Sequence, residues 1–252
     1  IRRLILALAA VAALGGMTVS AAGEGSDLTI TGQVDWASKH IYRGVLVNDN
    51  AVLTPSLTLG MNGIEAKIFG VIDTDNAYNR EDNFQWVEAT LDYTQALDET
   101  FSATGGILYR DFPGQGANAT SELYVKLAAA VAFNPVLAVY YDFDEIDGWY
   151  VNLGASHTIA LADVHENLDL ILAANVGWAS EDYIQAVSGV NDSALVAISP
   201  SAALKYTASE KLSFAWYINY DYLLDNDVRN AAQAGNVDSS NFSFGTNVAY
   251  TF

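Results

Sequence analysis

Residues 241–252 read NFSFGTNVAYTF, and the pattern of this stretch decides the fold. Phe242, Phe244, Val248, Tyr250 and Phe252 recur at every second position, with Thr246 as the polar member of the series. Asn241, Ser243, Gly245, Asn247, Ala249 and Thr251 fill the other side. Successive side chains of a strand point to opposite faces, so this segment is built for two different solvents. It stops on an aromatic in mid-strand, without a polar tail. In a membrane every strand edge must find a partner, so a last strand that pairs with the first closes a barrel and leaves no edge in hydrocarbon. A terminal aromatic such as Phe252 also resembles the signal by which barrel-assembly machinery recognises its clients.

The other end of the chain supplies the compartment. Arg2 and Arg3 precede an apolar run from Leu4 to Leu14, and Val19-Ser20-Ala21 fits a small-residue cleavage site. Residues 1–22 are therefore predicted to be a secretory signal peptide, cleaved near Ala21 or Ala22, with 23–252 as a single domain. The run falls well short of the roughly 20 residues that a spanning helix needs. With no cysteine in the sequence, neither a lipid anchor nor a disulfide is available. All 30 acidic residues lie beyond residue 22, and the net charge of −19 makes nucleic acid an unsuitable partner. Hydrophobic residues make up 51% of the chain, too many for disorder, yet they are dispersed in alternation rather than gathered in one long run. An outer-membrane β-barrel reconciles these features.

Twelve segments alternate with a period of two: 28–40, 51–62, 64–73, 84–95, 101–111, 120–133, 136–145, 149–160, 168–179, 195–208, 211–223 and 241–252. Each has the length of a tilted transmembrane strand. Their connections alternate as well. Short turns, such as Asn62-Gly63 and Asn134-Pro135, take turns with longer polar loops at 44–50, 74–83, 112–119, 180–194 and 224–240. That asymmetry predicts an all-β, twelve-stranded, antiparallel up-and-down barrel with its turns and both termini in the periplasm and its loops outside. Pro55 and Pro200 fall inside predicted strands, where the missing N–H predicts a bulge or a local end of pairing.

Extending the alternation assigns Asp35, Lys39, Glu65, Lys67, Glu88, Asp92, Arg110, Glu122, Lys126, Asp142, Asp144, Asp169, Lys205 and Asp221 to the lumen. Ionised groups in a narrow barrel need water or a partner. The set is thus compatible with a polar pore or with an ion-paired network that closes the lumen. Its excess of carboxylates favours cations or small polar solutes, with Asp142 and Asp144 expected on one inward face. Acidic loops would draw divalent cations and thereby anionic lipopolysaccharide to the rim. The stretch DTDNAYNRED lacks the third ligand and the glycine of a calcium loop, having Ala77 and Tyr78 there. No cofactor-binding, metal or hydrolase motif is present. One pair, Ser38 and His40, is spaced to share a lipid-facing side of the first strand, the minimum for a lipid hydrolase, although no orienting third group is identifiable.

The stretch WASKHIYRGVLVNDNAVLTPSLTLG resembles the opening of the TorF-like outer-membrane porins, through Ser38, Tyr42-Arg43-Gly44 and Pro55-Ser56. GILYRDFPGQGANATSELYVKLA is similar to that family's aromatic strand, Pro-Gly loop and following strand. The resemblance implies a porin and supplies no catalytic residue. Physically, Arg43 is expected at the external rim, turned inward to a carboxylate such as Asp35 or Asp73, or outward to a lipid phosphate.

Overall fold

A computed structural model describes residues 28–75, 84–113 and 117–252. The predicted signal peptide at 1–22 and most of the DTDNAYNRED stretch lie outside the described residues. The elements run β1 (Thr29–Ala37), β2 (His40–Tyr42), β3 (Val45–Asn48), β4 (Val52–Met61), β5 (Ile64–Asp73), β6 (Phe84–Ala96) and β7 (Phe101–Asp111). They continue through β8 (Thr120–Ala129), β9 (Val136–Asp142), β10 (Gly148–Ala160), β11 (Leu168–Ala179), α1 (Glu181–Ser188), β12 (Ala194–Thr207), β13 (Leu212–Leu223), α2 (Asn226–Ala234) and β14 (Ser240–Thr251).

Twelve of these strands close into one antiparallel barrel in which each pairs with its sequence neighbour, β4 following β1. β14 completes the ring against β1, in register from Thr31 opposite Thr251 to Ala37 opposite Gly245. The opening segment therefore does what its alternation requires, and no barrel strand is left with a free edge. Along β8, Leu123, Val125 and Leu127 are exposed, while Thr120, Glu122 and Tyr124 are buried. β14 repeats this, with Phe242, Phe244, Val248 and Tyr250 outward and Asn241, Ser243 and Asn247 buried. A surface of exposed apolar chains around a polar interior inverts the arrangement of a water-soluble domain and suits hydrocarbon outside.

The two prolines interrupt pairing on one side only. β4 keeps its ladder with β1 through Val34 opposite Pro55, but its pairs with β5 skip from Leu53–Ile72 to Ser56–Phe69. Likewise Pro200 is paired with Ala174 of β11, while the ladder to β13 skips from Ile198–Tyr222 to Ser201–Asn219. In an antiparallel ladder the N–H and C=O of a residue face the same neighbour, so a proline keeps its partner on the other side and loses pairing where the N–H is needed.

Three connections differ from the loops expected. The first strand ends at Ala37 rather than continuing to residue 40, and residues 40–48 form a separate two-stranded sheet of β2 and β3. The connections 180–194 and 224–240 carry α1 and α2. Asp225 starts α2 by accepting the N–H groups of Asp227 and Val228. Tyr183, Ile184 and Val228 are buried with Tyr150, Leu223 and Ala197 of the wall, and Val45 of β3 packs against the same cluster. A second cluster joins Phe69, Val71 and Trp86 on one wall to Ala203 and Tyr217 on another, with Tyr42 and Val47 of the hairpin against it. The hairpin is thus wedged between two apolar clusters and crosses the loop-side half of the barrel.

Candidate functional site

The hairpin turns at Arg43 and Gly44, which have φ of 52° and 82°. Left-handed backbone at both central residues suits a tight hairpin, and glycine adopts it without strain. A Cβ on Gly44 would run into the Cβ of Ala197, so the tip can seat only because that residue is glycine.

Seated, the tip places the Arg43 guanidinium in a cage. Its carbon lies 4.4 Å from the Tyr150 ring centre, 4.6 Å from Tyr140, 4.9 Å from Tyr42 and 5.3 Å from Tyr183. Nη1 and Nη2 donate to the two oxygens of Glu122 at 3.2 and 2.5 Å, and Nη1 also donates to the Tyr183 hydroxyl at 2.7 Å. The four rings come from the hairpin itself, β9, β10 and α1, while Glu122 comes from β8. Tyr150 fits flat against the wall because Gly177, beside it on β11, has no Cβ to meet the ring. Negative ring faces and a bidentate carboxylate are the two chemistries that best hold a planar cation.

Glu122, 0% exposed, is shared with a second arginine. Arg110 of β7 donates to Glu122 at 3.1 Å and to Glu88 of β6 at 2.9 Å, and also meets the Tyr42 hydroxyl. Two buried guanidinium groups thus face two buried carboxylates, so the network balances in charge, as desolvated ions must. Both Arg43 and Tyr183 lie outside the spanning strands. Burial works against the charge of Arg43, but the Tyr183 and Tyr42 hydroxyls and the Glu122 carboxylate outweigh it and hold the guanidinium pKa above its ordinary value. Burial pushes the Tyr183 phenol up.

The other acidic groups assigned to the interior are distributed around this network. Asp35 takes the Tyr217 hydroxyl at 2.7 Å, Asp92 that of Tyr124 at 2.6 Å and Asp221 that of Ser199 at 2.5 Å. Nearer the short-turn end, Glu65 is exposed, and Lys67, Asp92, Lys126, Asp169 and Lys205 are partly exposed.

Four placements differ from expectation. Lys39 lies in the bend after β1, not on it, and pairs with Asp49. Asp144 lies beyond the end of β9 and is exposed, so it shares no strand face with Asp142. Asp142 instead organises its loop, accepting Thr120 Oγ1 at 2.7 Å and the backbone N–H groups of Asp144 and Ile146. Arg43 turns inward to a carboxylate as expected, but its partner is Glu122, because the hairpin carries it across the lumen. Ser38 and His40 are likewise drawn apart: Ser38 Oγ accepts the Phe244 N–H at 3.0 Å, while His40 turns inward onto Trp86 with Nδ1 3.4 Å from Gln85 Oε1. These partners leave no lipid-facing Ser-His pair. Among the described residues no cluster of three or more metal-ligating side chains converges. Alternation alone points to Glu88, Arg110 and Glu122. The tyrosine cage is invisible to it, since it needs α1 folded over the barrel.

No protein-family model matches the sequence, and no curated relative does. Solved structures do share its shape. The KdgM porin superposes with a TM-score of 0.52 at 11% identity, over 89% of this chain and 99% of that one. The NanC porin gives 0.53 at 16% identity with the same coverage, and LpxR from Salmonella typhimurium gives 0.53 at 9%, over 87% and 99%. The chain has the fold of outer-membrane barrels. KdgM and NanC are porins, and LpxR has the same fold.

Proposed function

We propose that this protein is a passive channel of the outer membrane, porin-like in the sense of the TorF-like resemblance, for ions and small polar solutes. The observation that carries this reading is a barrel wall apolar outside and charged inside, whose charges at the short-turn end stay open to water. Cations are the preferred class. Arg43 and Arg110 are neutralised by Glu88 and Glu122, leaving Asp35, Glu65, Asp92, Asp142, Asp169 and Asp221 inside against Lys67, Lys126 and Lys205. An uncompensated negative charge lowers the energy of a cation in a confined passage. Acidic loops at the mouth, meeting lipopolysaccharide through divalent cations, would add to the effect. Export by the signal peptide and insertion by assembly machinery reading Phe252 belong to the same proposal.

A second reading, a closed structural barrel, draws on one observation: Glu122 is fully buried between two arginines that tie the hairpin to the wall. Planar-bilayer recording of the folded protein and of a variant with residues 40–48 replaced by a short glycine-serine turn separates the two. The expected result is a larger conductance in the shortened variant, with a cation-selective reversal potential. Selectivity should weaken at 1 M salt, where the Debye length is about 3 Å. Anion selectivity would overturn the cation preference, and silence of both folded proteins would establish the closed barrel.

A further inference from the structure

We propose that the pocket of Tyr140, Tyr150, Tyr183 and Glu122 is a recognition site for guanidinium-bearing cations, and that Arg43 occupies it as the chain's own internal ligand. The proposal deepens the channel reading and rests on it: a solute of this class displaces Arg43, releases the hairpin and passes.

Three observations carry it. The first is chemical. Rings from β9, β10 and α1 converge with Glu122 on one planar cation, their centres lying 4.6, 4.4 and 5.3 Å from its carbon. Ring faces and a bidentate carboxylate select a flat, delocalised cation over a compact, strongly hydrated one. Secondly, the occupant arrives on an element outside the barrel ladder. β2 and β3 hydrogen-bond as their own two-stranded sheet and not within the barrel sheet, whereas Arg110, which serves the same carboxylate, is fixed in the wall on β7. Arg43 is also a non-glycine residue at positive φ, a conformation that persists only where surrounding contacts enforce it. Thirdly, the receptor half is complete without the hairpin. Removing Arg43 leaves Glu122 held by Arg110, with Tyr140, Tyr150 and Tyr183 around a hole of guanidinium size and negative character. A solute bearing the same group would meet Glu122 and these three rings without straining a backbone.

The test uses methylguanidinium chloride against sodium chloride at equal ionic strength, on purified barrel in detergent and in planar bilayers. Calorimetric titration of Arg43→Ala should show saturable methylguanidinium binding, at least about tenfold weaker when Tyr140→Leu and Tyr150→Leu are added. In the unmodified protein, methylguanidinium and not sodium should accelerate amide hydrogen exchange across residues 40–48 and raise the current. Binding that ignores the tyrosine changes, or a hairpin whose exchange is unmoved at saturating methylguanidinium, overturns the internal-ligand proposal. Should Arg43→Ala fail to fold, the exchange measurement on the unmodified protein decides alone. Binding with accelerated exchange but no current from any variant keeps the site and removes the channel. Current with neither binding nor accelerated exchange does the reverse.

Discussion

Glu122 is the residue on which the interior turns. Fully buried, it accepts from Arg43 and Arg110 together, so its removal leaves two guanidinium groups desolvated with only Glu88 to face them. Breaking a buried ion pair from one side costs about 3–5 kcal/mol, because the remaining charge is stranded. Glu122→Ala is therefore expected to lower the stability of the folded barrel by about that amount in urea titrations in detergent. Arg43→Ala should cost less, since Glu122 keeps Arg110 and the charge lost sits on the hairpin. Equal losses from the two substitutions would show that the network does not centre on the carboxylate. Alternation along β8 was enough to turn Glu122 inward, but its partners are 12 and 79 residues away and were not legible. For the same reason the pattern shows that Arg43 seeks an inward carboxylate, but not that this carboxylate is Glu122. Local pattern says which side a residue faces, not how far a hairpin carries it.

At the scale of elements, the hairpin has a built-in response to acid. Burial pushes the His40 imidazole down to about 4, with the neighbouring Arg110 charge working in the same direction and the Gln85 hydrogen bond opposing both. Seated, His40 stays neutral; released into water, it takes up a proton below about 6.5. The seated form is thus fully favoured above the released value and loses stability as pH falls toward 4, where the folded group also titrates. Current through the unmodified protein is expected to rise between pH 6.5 and 4, and His40→Gln should remove the part of that rise that begins near 6.5. A rise unchanged in the variant would assign it to carboxylates instead. Gly44→Val bears on the same element. A side chain at φ 82° facing Ala197 cannot seat, so its conductance should match that of the hairpin-shortened protein at every pH. Neither the hairpin nor the two short helices is legible in the sequence, because each is shorter than the window in which periodicity can be seen.

For the whole molecule, the outward face sets the solvent. Trp149 and Trp216 are 47% and 51% exposed, whereas Trp86 is 4% exposed between His40, Tyr42 and Phe112. In single-tryptophan variants reconstituted with brominated lipid, Trp149 and Trp216 should be strongly quenched and Trp86 spared. Quenching of Trp86 equal to theirs would contradict the orientation of the wall. Strand number, ladder order and the side faced by residues within the paired strands were determined by the sequence alone, because a wall between lipid and a polar interior imposes a period of two on every strand it contains. Even the broken pairings at Pro55 and Pro200 follow from a missing N–H that belongs to the residue itself. What fills the lumen was decided only by tertiary structure. The cage around Arg43 gathers Tyr42, Glu122, Tyr140, Tyr150 and Tyr183 from five separate elements, and contacts that exist only once a ring of strands has closed leave no periodic trace in the chain.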